Sequence, residues 1–139
     1  MNKYQFLKEL MPVLSPRFYC WNDTNGNELV FLETEGEHFG EPFAVSDKTQ
    51  LEALENHIHL FGRIRPENRT EAREIAIRIA CNLQGALEHR FPDKQFLVFL
   101  TINPKDATII RFHQVWDGEP PYYDADEVYR DTEVFAFKA

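Results

Sequence analysis

The sequence predicts an α+β fold: one domain with a mainly antiparallel sheet of about five strands, in the order α-β-β-α-α-β-β-β, and a long helix packed on the sheet. Three observations predict it. Residues 70–90 repeat apolar side chains at helical spacing. RFYCWNDT and NELVFLET flank Asn25-Gly26, a pair favoured in tight hairpin turns. QFLVFLTI and ATIIRFHQVW flank Asn103-Pro104-Lys105-Asp106 and form a second hairpin. The 139 residues are 43% hydrophobic and include 12 Phe, which suits one core in one domain. No repeat, low-complexity stretch or linker divides the chain.

The first helix is predicted from about Lys3 to Met11, with Asn2 as its cap. Tyr4, Leu7, Leu10, Met11 and Leu14 form its apolar stripe, and Pro12 and Pro16 end it. In the first hairpin a two-residue loop pairs Thr24 with Asn27, Trp21 with Val30 and Tyr19 with Leu32. Leu29 to Leu32 are all apolar, which predicts a strand buried on both faces. TEGEHFGEPF is a Gly- and Glu-rich loop.

Thr49-Gln50-Leu51-Glu52 fits a capping box for a second helix. Leu51, Leu54, Ile58 and Phe61 extend its stripe, and Gly62 stops it. The basic connection GRIRPENR follows. The third helix runs from about Thr70 to Arg90, capped at Asn68 or Thr70. Ala72, Ile75, Ala76, Ile79, Ala80, Leu83, Ala86 and Leu87 share its buried face. Ile77 and Cys81 point elsewhere, as a narrow second patch for another helix or a homodimer contact. In the second hairpin, pairing Ile102 with Ala107 puts Leu97, Phe99, Ile110 and Phe112 on one face. Phe96, Val98, Leu100 and Ile109 then share the other with Arg111 and His113. TEVFAFK is the last strand.

Composition excludes several classes. No apolar run approaches the length of a membrane span. The N-terminal stretch lacks the apolar run of a signal peptide. Cys20 and Cys81 are too few for a disulfide scaffold. Without a secretion signal both are expected to be reduced, and the protein cytoplasmic. The formal charge of −8 argues against nucleic acid as a partner. The acids are uneven. Glu28 to Glu41 holds five glutamates and no base, and Asp117 to Glu133 holds seven acids against Arg130 alone. Residues 63–90 carry six arginines against four glutamates. The acidic runs give either solubility and local ion pairs or a surface that steers a basic partner.

Few residues announce chemistry. His57 and His59 stand two apart in a predicted helix, where they diverge and cannot share a metal; in a strand they would share a face. Arg111 and His113 alternate on one strand face. That pair can bind an anion or act in acid–base chemistry, or it can serve the fold, Arg111 in an ion pair and His113 in a hydrogen-bond network. Cys20 alternates with apolar residues and is expected in the core. No phosphate loop, nucleophile elbow or zinc-protease motif is present, so neither cofactor nor metal is predicted. In DGEPPYYDADEVYRD, Pro120-Pro121 stiffens the backbone beside Tyr122 and Tyr123. The two rings either present contact area to a partner or fold back as a lid.

The strand and loop IIRFHQVWDGEPPYYD, 16 of the 139 residues, resembles segments of small bacterial immunity proteins of polymorphic-toxin and contact-dependent inhibition systems. The resemblance implies a non-enzymatic protein that neutralises one toxin domain, often a basic nuclease. The acidic loops would supply the binding surface: Glu33, Glu35, Glu37 and Glu41 from the first, and Asp117, Glu119, Tyr122, Tyr123, Asp124 and Asp126 from the second. The alternative is a small-ligand or enzymatic domain whose pocket lies on the sheet face carrying Arg111 and His113, under the third helix.

Overall fold

The computed structural model describes residues 2–34, 36, 38–124, 127, 129 and 131–139. Helix α1 spans Lys3–Leu14, and the Asn2 side chain accepts the Gln5 N–H at its start. Pro12 sits inside this helix rather than ending it. It removes one N–H from the last turn, while Leu10 and Val13 still gain burial in the core. Asn82 donates to the Val13 carbonyl at 3.0 Å and so satisfies an acceptor that the helix end leaves open.

Strands β1 (Phe18–Asn22) and β2 (Glu28–Leu32) form the first hairpin, one residue out of the predicted register. Trp21 opposes Leu29, and Tyr19 opposes Phe31. The cause is Asp23. Its carboxylate accepts the Asn25 and Asn27 N–H groups, and Gly26 adopts φ +82°. A three-residue loop results, with glycine in the left-handed region, in place of the two-residue turn. The changed register decides which faces pair. Phe18, Val30 and Leu32 enter the main core, while Tyr19, Trp21, Leu29 and Phe31 build a second, aromatic cluster with Phe39, Val45, Leu51 and Trp116. As predicted, β2 is buried on both faces. Cys20 is exposed and not a core residue, because β1 is the outer strand of a two-stranded sheet.

Helix α2 is short, Lys48–Glu55, and is capped by Asp47 through the Gln50 N–H. The second half of the predicted helix is instead strand β3, His57–Phe61. Asn56 makes the break: its carbonyl accepts from Phe112 N, and its side chain is committed to β2. Pro66–Asn68 forms a 3-10 turn that leads into helix α3, Arg69–Arg90. Asn68 stands at the cap position, but the turn holds its backbone in a helical conformation and its side chain makes no capping bond. Ala76, Ala80, Leu83 and Leu87 are the buried face of α3. Ile77 packs on the main core and not in a separate patch, Ile75 is exposed, and so is Cys81.

Strands β4 (Phe96–Ile102), β5 (Thr108–Gln114) and β6 (Glu133–Lys138) complete a four-stranded antiparallel sheet of order β3-β5-β4-β6. The fold is α+β, with the long helix packed on the sheet as predicted, and with six strands in two sheets because β3 is added. The β4–β5 register is also shifted by one, pairing Ile102 with Thr108. Here Asn103 repeats the role of Asp23: its side chain accepts Lys105 N, its carbonyl accepts Asp106 N, and its own N–H bonds Ala107 O. Val98, Leu100, Ile110 and Phe112 therefore face α3 together. Leu97, Phe99, Ile109, Arg111 and His113 share the opposite face. A pocket holding Arg111 and His113 under the third helix is excluded, since that helix covers the other side of the sheet.

Candidate functional site

Two regions gather the residues that the sequence singles out. The first lies on the sheet face away from α3. Arg111 is buried, 8% exposed, and its Nη1 donates to the Ala53 carbonyl at 3.1 Å. The Tyr122 ring lies over its guanidinium at 4.6 Å, with Tyr123 at 5.8 Å. Both tyrosines are half-buried and fold back as a lid. Tyr123 packs edge-on against Phe99, Tyr122 and Tyr129. Such ring-over-cation geometry is favourable and grows stronger away from water.

His113 latches the lid. Its Nδ1 meets the Gln114 carbonyl at 2.7 Å, and its Nε2 lies 3.1 Å from the Tyr122 N–H. A carbonyl can only accept and an N–H can only donate, so the ring is neutral with its proton on Nδ1. Burial pushes the His113 pKa below its ordinary value, against the pull of the Gln114 carbonyl, Glu119 and Asp47. With both ring nitrogens engaged, His113 has no lone pair to offer as a base.

The second region surrounds the aromatic cluster, where the two acidic loops converge through Phe39, Val45 and Trp116. Phe43 is 44% exposed, with its ring 4.7 Å from that of Trp21. Glu33, Glu41 and Asp117 are exposed. Glu119 is turned inward. It receives the Thr49 N–H at 2.7 Å at the start of α2 and pairs with Lys48 at 2.7 Å. Burial works to raise the Glu119 carboxyl, but Lys48 and Thr49 hold it below the ordinary value. Asp124 is exposed, and its N–H donates to the Tyr129 hydroxyl. Glu35, Glu37 and Asp126, like Arg130, lie outside the described residues. His57 and His59 share a face of β3 with rings 5.6 Å apart. Among the described residues, no three His, Cys, Asp or Glu side chains converge as metal ligands.

Sequence reasoning missed the most unusual side chain. Glu52 is fully buried, and its carboxylate accepts four hydrogen bonds, from Val30 N, Gln114 N, Gln114 Nε2 and Trp116 Nε1. Burial pushes its pKa up, while the four donors pull it down. Thr49, Glu52, Ala53 and Asn56 are buried at helical spacing, while Leu54 is 51% exposed. Helix α2 thus buries a mainly polar face. The signal for this was the polar periodicity itself, which the apolar stripe through Leu51 and Leu54 obscured. Compared with known proteins, the chain matches no family model, no curated protein and no solved structure.

Proposed function

We propose that this chain is a protein-binding domain that neutralises a basic bacterial toxin domain through the acidic surface around its aromatic cluster. The observation that carries this reading is Phe43, a large ring left 44% exposed with the Trp21 ring packed beside it at a tilt of 49°. Exposed Glu41 lies two residues away, and exposed Asp117 follows Trp116 of the same cluster. An aromatic anchor within a charged rim is how protein interfaces concentrate binding energy. The charge of −8 suits a cationic partner, whose phosphate-holding Lys and Arg would pair with these carboxylates. The anchor is thereby Phe43 rather than Tyr122 or Tyr123, whose rings are occupied by Arg111.

The test is a growth assay. The C-terminal domain encoded by the open reading frame immediately upstream is expressed with and without this chain. Relief of toxicity is expected, and unrelieved killing overturns the reading. With that partner in hand, Glu41→Lys combined with Asp117→Lys should slow association about tenfold at low ionic strength. An unchanged rate places the contact elsewhere. Glu119→Lys is unsuitable, since it removes the acceptor of the Thr49 N–H and the partner of Lys48 at the start of α2.

A further inference from the structure

A buried cation needs a counter-charge or a full set of acceptors, because removal from water is costly. Arg111 has neither. Its Nη1 is spent on Ala53, its Nε has no hydrogen-bond partner, and no carboxylate among the described residues pairs with it. The vacant atom is informative. Nε–H and the neighbouring Nη2 form the side-on fork with which a guanidinium takes an oxyanion through two parallel bonds. That edge carries no ligand from the described protein, while two rings hold the guanidinium plane in place.

We propose that Arg111 is the floor of a concealed site for a small organic monocarboxylate, roofed by Tyr122 and Tyr123. A carboxylate matches the fork in shape and the single guanidinium charge in magnitude. A phosphate carries more negative charge at neutral pH, and Asp47 and Glu119 already act electrostatically on the adjoining His113. The aromatic surround of Tyr122, Tyr123 and Phe99 suits an apolar or aromatic body on the ligand. Entry requires the Tyr122 segment to lift, which breaks its bond from Tyr122 N to His113 and parts the two tyrosine rings from Arg111 and Phe99. The site is independent of the Phe43 surface and stands whether or not a protein partner binds there.

The test follows the Arg111 Nε–H resonance by NMR while benzoate is titrated at constant ionic strength, with chloride and inorganic phosphate as comparison anions. A saturable shift with benzoate, stronger than with either comparison anion, is expected. Arg111→Lys keeps the charge but loses the fork, so benzoate affinity, followed on the Tyr122 backbone amide, should fall about tenfold or more. Tyr122→Ala leaves the strand intact and uncovers the fork; it guards against an Arg111 variant that fails to fold. A shift confined to Tyr122→Ala supports the site, with the ring as its closed roof. No saturable shift in either wild type or Tyr122→Ala overturns the proposal, and so does phosphate binding as tightly as benzoate.

Discussion

The Asn56 side chain pairs with Leu32 as a neighbouring strand would: its Oδ1 accepts the Leu32 N–H at 2.7 Å, and its Nδ2 donates to the Val30 carbonyl at 2.9 Å. One side-chain amide thus replaces a backbone peptide along the inner edge of β2. Glu52 extends the same edge through Val30 N, and Gln114 through the Glu28 carbonyl. The two-stranded sheet is joined to the four-stranded one by these side chains rather than by a shared ladder. Buried backbone groups must find partners somewhere, and here α2 and the end of β5 supply them.

Asn56→Ala removes both bonds at once. Leu32 N–H and Val30 C=O are then left buried without partners, and the expected loss is about 3 kcal/mol. Urea unfolding of the variant measures it. A loss under about 1 kcal/mol shows that the edge is not held this way.

Each Glu52 oxygen accepts two of the four bonds, so in Glu52→Gln the amide NH2 that replaces one oxygen faces two donors. The expected destabilisation is about 2–3 kcal/mol. The pH dependence carries the sign of the raised pKa. Above the ordinary value of 4.5, the folded chain keeps a proton that the unfolded chain has lost, so this group makes stability fall as pH rises through that window. Unfolding series for wild type and Glu52→Gln should differ in slope there, with the variant lacking this component.

His113 acts in the opposite direction. Its folded pKa lies below the ordinary 6.5, so just under that pH the unfolded chain binds the extra proton. Stability should therefore fall as pH drops below about 6.5 and be fully recovered above it. His113→Gln should flatten that segment of the profile. A wild-type profile with no decline there contradicts the neutral latch on Tyr122.

Gly26→Ala tests the first turn. Gly26 has φ +82°, and an added Cβ meets nothing within 4 Å, so the cost is backbone strain alone. About 1–2 kcal/mol is expected in thermal or urea unfolding. A neutral result means that the loop relaxes into another turn type, and the β1–β2 register should then be re-examined by amide exchange.

Much of the fold was legible from local signals. The heptad-like burial of Ala76, Ala80, Leu83 and Leu87, the Asn2 cap and both hairpins follow from short-range spacing and turn chemistry. The registers did not follow, and both failed for one reason. Asp23 and Asn103 each fold a side-chain oxygen onto the backbone two residues on, which lengthens the loop by one residue and exchanges the facing side chains. Asp23 precedes an Asn-Gly pair that by itself favours the shorter turn, so the competing device was masked.

What the sequence determined alone is the class: an acidic α+β domain with one long amphipathic helix, two hairpins and a doubly buried second strand. These depend on periodicity and turn residues within a few positions of one another. The tertiary structure decided the rest. Leu54 is exposed while Glu52 and Asn56 are buried because the unpaired edge of β2 needs hydrogen-bond partners more than the core needs another leucine. Arg111 lies beneath Tyr122, and not beneath α3, because a one-residue register assigns it to the other face of the sheet. Contacts of this kind join residues far apart in the chain, and no local pattern encodes which backbone group will lack a partner until the sheets are assembled.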